Sequence, residues 1–353
     1  MSPASIGPAI SAATSATASA AADARVARAF APVAAALDAG RIPGAVLGYV
    51  DAAGNRAVTA AGWAQTTPVR RPMTAATWFD LASLTKPLFT AARILGLAAQ
   101  GRIALDAPLT TVLPDLRQYD PGAWERRVTF RQCLGHETPF PAVTPIYTMN
   151  RDPDLLRAHV LQNEWRAGPA VYSDINFILL GLCLERLTGK RIRAMDPGPG
   201  FAWSADPAQA AATEDCTWRN RVLCGEVHDD NASALQGAGH AGLFGTADSL
   251  LTAAHGLLTA TTAPGPVIGW MRAPLSPRRS HGWERRHSGW PGGDAASHSA
   301  IGHTGFTGTG LWIDFDRGHA WTLLTNRIHP TRHFDSGIAD LRRAVGDLIS
   351  GEA

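Results

Sequence analysis

Ser83 and Lys86 stand three residues apart at the start of an apolar run in which Leu84, Leu88, Ala91, Leu95 and Ala98 share one helical face. At that spacing both side chains point the same way one turn apart, which brings a lysine amine within reach of a serine hydroxyl. Such a pair supports attack by the serine on a carbonyl carbon, with its proton taken by the neighbouring amine. A place at the helix start adds the Ser83 backbone N–H, at the positive end of the helix, to stabilise an oxyanion. Pro87 fits there, because the first turn's N–H groups have no helical acceptor. Alone, S-x-x-K is a weak signal that an N-capping serine followed by a surface lysine would also explain.

Two further segments strengthen it. Tyr172-Ser-Asp174 lies directly before an apolar helix over Ile175 to Thr188, and Gly302-His-Thr-Gly305 follows a short strand-like run, with more glycines at Gly308 and Gly310. In this order the three segments resemble the SxxK, YxN and KTG motifs of the serine β-lactamase and penicillin-binding family. The resemblance is nearest to the branch of class C β-lactamases, D,D-peptidases and carboxylesterases, in which a tyrosine serves in the second motif. It spans most of the chain, taking in Gly40-Arg-Ile-Pro-Gly-Ala45, Leu134-Gly-His136 and Ala241-Gly-Leu-Phe-Gly-Thr246.

The resemblance implies a serine hydrolase that works through an acyl-enzyme on a β-lactam, a D-amino-acid peptide or a short-chain ester, without a cofactor. Ser83 would attack, Lys86 and Tyr172 would pass its proton to the leaving group, and the N–H groups of Ser83 and Phe306 would form the oxyanion hole. Asp174, His303, Thr304 and Gly305 would face the substrate. Thr331 and Arg332 fall where class C enzymes recognise a substrate carboxylate, although a strand-end turn around Pro330 would account for them too.

Two residues depart from the family pattern. Asp174 replaces an asparagine, and a carboxylate within reach of Lys86 would favour the ammonium and leave more of the proton transfer to Tyr172. His303 replaces a lysine, and an imidazole with an ordinary pKa near 6.5 is mostly neutral at pH 7. The weaker anchor favours small activated esters over β-lactams, unless Arg332 or one of Arg278, Arg279, Arg285 and Arg286 restores the charge. A penicillin-binding sensor that acylates without turnover is the rival reading.

The elements that must hold these residues follow from periodicity. A helix is expected over 23–37, then strands over 45–50 and 56–63 around the hairpin residues 51–55. A second strand pair is expected at 310–315 and 319–325, followed by a helix with Ile338, Leu341, Val345 and Leu348 on one face. Between these blocks lie helix candidates at 83–100, 154–162, 175–188 and 247–258 and a long Pro/Gly/Trp-rich loop at 194–225. The expected fold is α+β: an antiparallel sheet flanked by helices (23–82 and 259–353) with an inserted all-helical lobe (83–258) and a cleft at their boundary. This agrees with the β-lactamase/transpeptidase-like architecture.

Composition narrows the rest. In 353 residues the 32 Lys and Arg against 30 Asp and Glu leave a net charge of +2, without the basic footprint that nucleic acid selects. No apolar run approaches the roughly 20 residues of a membrane helix. Gly237-Ala-Gly-His-Ala-Gly242 matches GxGxxG, but it follows a polar segment and lacks a downstream acidic partner, so a nucleotide site is a remote alternative. His228-Asp-Asp230 reads as a hydrogen-bonded loop. No metal-ligand spacing occurs among the histidines, and GxSxG is absent. Residues 1–22 read as a disordered leader without the basic start of an export signal, which favours the cytoplasm over the periplasm or secretion and four free thiols over a Cys216–Cys224 bridge. A small molecule is the expected partner, and the sequence specifies no oligomeric state.

Overall fold

The computed structural model describes residues 8–260 and 265–351, and the side chains of all these except 8–18. Of the expected leader, residues 1–7 lie outside the described residues, and the first helix begins at Pro8 rather than at residue 23. That helix, α1 (Pro8–Ala29), is followed by α2 (Ala31–Asp38), with Pro32 in its first turn.

Strands β1 (Gly44–Asp51), β2 (Arg56–Gln65) and β3 (Arg71–Pro72) come next. They are joined late in the chain by β9 (Glu284–Arg285), β10 (Ile301–Thr304), β11 (Gly310–Asp314) and β12 (His319–Thr325). The seven form one antiparallel sheet in the order β3-β2-β1-β12-β11-β10-β9, with Ala45 opposite Thr325 and His303 opposite Leu311.

Both faces of the sheet are covered, and so β1 reads as an unbroken apolar run rather than an alternation. The strand period of two sends Ala45, Leu47 and Tyr49 into one cluster with Val26, Val33, Trp321, Leu341 and Val345. Val46 and Val50 meet Leu250, Leu251 and Ala254 of α8 (Ala247–Leu258) on the other face. The helix α10 (Ile338–Ser350) closes the first cluster, as the spacing of its apolar residues predicts.

Between the two strand blocks run β4 (Phe79–Asp80), α3 (Ala92–Ala99), α4 (Phe130–Gly135), α5 (Pro153–Gln162), α6 (Asp174–Thr188), α7 (Asp230–Ala234) and α9 (Val267–Arg272). Between Ile175 and Leu184 helix α6 is apolar apart from Asn176, because that stretch is buried throughout.

This stretch is not wholly helical. It carries β5 (Phe201–Ala202), β6 (Ala212–Cys216), β7 (Arg221–Cys224) and β8 (Phe244–Gly245). The expected loop at 194–225 therefore contains a β6–β7 hairpin, hidden from periodicity because its charged residues are paired. Glu214 is buried against His228 and Arg332. The cysteines are free: Cys216 opposes Arg221 and Cys224 opposes Ala212, so the two thiols sit at opposite ends of the ladder. Among the described residues no helix is long and apolar enough to cross a membrane.

Candidate active site

The nucleophile candidate is built by a turn that the sequence cannot continue as an α-helix. Strand β4 pairs with β8, and the chain then turns sharply at Ala82, whose φ of 47° lies in the left-handed region that an alanine rarely occupies. The buried Asp80 carboxylate supports the turn by accepting from the Ala82 N–H (2.8 Å) and the His228 N–H (2.6 Å).

A 3-10 turn over Ala82–Leu84 follows, and a π-helical turn over Lys86–Ala91 leads into α3. Pro87 has no N–H to donate to the Ser83 carbonyl, which removes the bond that an α-helix would make there. In a 3-10 turn residues i and i+3 eclipse, so Ser83 and Lys86 face each other directly. Lys86 Nζ lies 2.9 Å from Ser83 Oγ.

Lys86 is fully buried and all three of its N–H donors face an acceptor: Ser83 Oγ, the His240 carbonyl (3.1 Å) and Asp174 Oδ1 (2.7 Å). Burial by itself would depress the ammonium. The Asp174 carboxylate, and after it Tyr172, outweigh that and hold Lys86 well above the ordinary lysine value.

The Tyr172 ring is surrounded by positive and polar groups. Lys86 Nζ lies 5.0 Å and the Arg279 guanidinium 5.1 Å from its centroid, His136 packs against it at 4.3 Å, and His303 lies at 5.9 Å. Asn176 is fixed by the Thr138 hydroxyl (2.7 Å), and His136 Nδ1 accepts from the Asn176 amide (3.3 Å) and the Ser173 N–H (3.1 Å). The His136 proton therefore sits on Nε2. Burial, then Arg279 and Lys86, push its pKa well below the usual histidine range.

The third segment forms the far wall. A Cβ on Gly305 would fall 2.1 Å from Thr309 Oγ1 and 2.5 Å from the Leu81 carbonyl, so only glycine lets this strand end approach the Ser83 turn. The Gly305 carbonyl accepts from Nη2 of the buried Arg342 (3.2 Å) and from the Gly308 N–H (3.1 Å). Because the peptide is trans, the Phe306 N–H points the opposite way. Arg342 also donates to the Thr309 carbonyl (2.7 Å).

A family model described as Beta-lactamase matches residues 26–345, which include all three segments. The chain belongs to the beta-lactamase family. It is 30% identical over 317 residues, 74% of this chain and 71% of the other, to N-acetylmuramyl-L-alanine amidase of Bacillus subtilis (strain 168). It is 25% identical over 345 residues, 79% of this chain and 74% of the other, to a putative D-alanyl-D-alanine carboxypeptidase of Escherichia coli (strain K12). Among solved structures, EstCE1, a hydrolase with promiscuous acyltransferase activity, superposes with a TM-score of 0.72 over 94% of this chain and 100% of its own, at 19% identity. The fold is thus β-lactamase/transpeptidase-like, and this member of the family is a serine hydrolase.

In this hydrolase Ser83, Tyr172 and Phe306 line two chambers that meet at Ser83. One, of about 470 Å³, is bounded by Val143, Tyr147, Asp174, Asp229 and Arg332. The other, of about 340 Å³, is bounded by Arg279, Glu284, His303 and Thr304. A larger groove of about 770 Å³ lies on α5 and α6, away from these residues.

Three sequence expectations need correction. His303 is not a titrating anchor: it is buried, Nδ1–H donates to the Thr304 carbonyl (2.9 Å), and burial, then Arg279 and Lys86, hold the ring far below the ordinary pKa. Arg332 lines the larger chamber, but its guanidinium is engaged by the buried Glu214 carboxylate (2.8 Å). Thr331 is exposed, and its hydroxyl accepts from the His333 N–H (3.3 Å) in a local turn.

The 237–242 glycines are not a nucleotide loop. Gly239 and Gly181 bring the loop backbone against α6, where either Cβ would fall within 3 Å of backbone atoms. His228 and Asp230 do belong to a hydrogen-bonded loop, paired with Glu214 and Arg219.

Asp174, Asp229 and His240 each bring one ligand atom within 4.8 Å of the others, the one such grouping among the described residues. The Lys86 ammonium already supplies positive charge there, 2.7 Å from Asp174.

Asp80, His136 and Arg342 were not assigned roles from sequence. The one signal for Asp80 in the sequence is an acid set between Phe79 and Leu81, three residues before Ser83.

Proposed function

We propose that the protein hydrolyses an ester or amide through an acyl-serine at Ser83. The observation that carries this is the 2.9 Å contact between Ser83 Oγ and a buried lysine that Asp174 keeps charged. Because the Lys86 donors are all engaged, the lysine acts as a fixed positive charge and Tyr172 as the proton carrier. The hydroxyl proton passes to Tyr172 Oη as Ser83 Oγ bonds to the carbonyl carbon. The oxyanion is held by the Ser83 and Phe306 N–H groups, and the proton passes to the leaving oxygen or nitrogen as its bond to carbon breaks. Water repeats the sequence to release the acid.

The names of the relatives, an amidase and a D-alanyl-D-alanine carboxypeptidase, support amide as well as ester bonds as targets. The reading includes a small-molecule substrate and cytoplasmic residence, the latter supported by four unpaired cysteines.

The test is the intact mass after exposure to penicillin and to a nitrophenyl ester. A single adduct is expected on the wild type and none on Ser83→Ala; an adduct that persists on the variant removes Ser83 from the mechanism. Steady turnover after the first equivalent separates an enzyme from a sensor that only acylates.

A further inference from the structure

Two motifs of the sequence have no part in the mechanism above: His228-Asp-Asp230 and the glycine-rich stretch from Gly237 to Gly242. The structure joins them at Lys86. His240 Nε2–H donates to Asp229 Oδ1 (2.8 Å), and the carbonyl of the same His240 accepts from Lys86 Nζ (3.1 Å).

The loop that carries His240 is tied to the Ser83 segment along its length. The Gly239 carbonyl accepts from Thr90 Oγ1 (2.7 Å), the Leu243 N–H donates to Thr85 Oγ1 (3.0 Å), and the Leu243 carbonyl accepts from the Leu81 N–H (2.9 Å). The His240 ring is 1% exposed, and its Nδ1 has no partner among the described residues, so the bond to Asp229 is the one hydrogen bond that the ring makes there. Without that acceptor a buried N–H would be left unpaired, and the ring would turn and carry its backbone with it.

Asp229 is itself held in place. Its Oδ1 also accepts from the Ala232 N–H (2.7 Å), while its neighbour His228 donates its N–H to Asp80, the carboxylate that supports the Ala82 turn. Adjacent residues of one loop therefore brace both members of the Ser83–Lys86 pair, His228 through Asp80 and Asp229 through His240. Burial opposes the charge of Asp229, but His240, the Ala232 N–H and Lys86 outweigh it and keep it an anion. Two carboxylates thus act on Lys86, one from Asp174 and one from Asp229.

We propose that Asp229 and His240 form a positioning pair, which fixes the His240 carbonyl and a second negative charge against Lys86 and so keeps the ammonium in register with Ser83. This rests on the acyl-serine reading above. The other titratable groups around Lys86 are Ser83 on its own turn, Tyr172 and Asp174 from the second segment, and His136 and His303, whose rings feel its charge.

The experiment follows hydrolysis of the neutral ester para-nitrophenyl butyrate across pH. Asp229→Ala and His240→Leu should each lower kcat about 10- to 100-fold while KM changes less than about threefold. The double variant should lose little more than the worse single one, because the two residues act as a unit. In both Asp229→Ala and Asp229→Asn the alkaline limb should move down by about one pH unit, since the ammonium has lost a carboxylate. Asp229→Asn still accepts from the His240 ring and should recover part of kcat. His240→Gln still donates to Asp229, and should recover part of kcat with the limb close to that of the wild type.

The urea midpoint of each variant at pH 7.5 reports its folding. Where Asp229→Ala or His240→Leu does not fold, Asp229→Asn and His240→Gln carry the same test. A limb that stays in place in the folded Asp229 variants, whatever happens to kcat, makes the pair a structural brace and overturns the proposal. A loss confined to KM overturns it too, because the pair would then act on substrate and not on Lys86. Turnover that survives Ser83→Ala overturns the acyl-serine reading, and this inference with it. Turnover abolished by Ser83→Ala together with an unmoved limb in the Asp229 variants overturns only the positioning pair.

Discussion

The Lys86 ammonium lies 2.7 Å from the Asp174 carboxylate, at a position where a neutral asparagine is the family's usual residue. Asp174 is the first residue of α6, so the carboxylate that fixes the lysine is itself favoured by the helix N-terminus. A lysine held in this way is a poor base and a strong electrostatic partner for the groups around it.

Asp174→Asn removes the main influence that raises the Lys86 pKa and leaves burial, which lowers it. The ammonium then loses its proton at lower pH. The alkaline limb of kcat/KM on a neutral nitrophenyl ester should move down by about 1–3 pH units. A superimposable profile would mean that the charge of Lys86 does not depend on Asp174.

His303 stays neutral throughout the accessible range, because burial and the nearby Arg279 and Lys86 charges all oppose its protonation. The kcat/KM of a carboxylate-bearing nitrophenyl ester relative to that of a neutral one should therefore be flat between about pH 5.5 and 8.5. A ratio that climbs on acidification through the ordinary histidine range near 6.5 would restore His303 as the anchor.

Arg342 holds the Gly305 and Thr309 carbonyls on the side away from the Phe306 N–H proposed for the oxyanion. In Arg342→Met the Phe306 N–H loses its fixed direction, so kcat should fall about 10- to 100-fold while KM changes less than about threefold. Arg342→Lys should restore part of kcat. A loss confined to KM would contradict a positioning role.

Acid should destabilise the fold well before its carboxylates titrate. Burial holds His136 and His303 well below their ordinary pKa, and burial likewise brings His329, whose Nε2 accepts from the Thr66 N–H, down to about 4. The unfolded chain binds protons at these histidines near pH 6.5 and the folded chain does not. Their contribution is thus complete above about pH 6.5 and is lost as the pH falls below it, by up to about 1.4 kcal/mol per pH unit for each. The urea midpoint at pH 5 should lie clearly below that at pH 7.5; equal midpoints would show that these rings are protonated without cost.

The order of the three segments, the Ser83–Lys86 spacing and the strand blocks around them could be read from the sequence because each depends on neighbours a few residues away. A three-residue separation aligns two side chains on a helical turn, a run of alternating or continuous apolar residues makes a strand, and Asp51–Asn55 makes a hairpin. Even there, Pro87 and Ala82 changed the expected α-helix into successive 3-10 and π turns, since a missing donor and a left-handed residue act on individual hydrogen bonds that periodicity does not register. The β6–β7 hairpin was hidden because Glu214 looks solvent-seeking until His228 and Arg332 arrive from elsewhere in the chain. Which arginine is paired could be decided only in three dimensions. Arg332 and Arg279 are alike as residues, but one meets a buried carboxylate and the other meets none among the described residues, and burial and Coulomb energy depend on distances between side chains that are far apart in sequence.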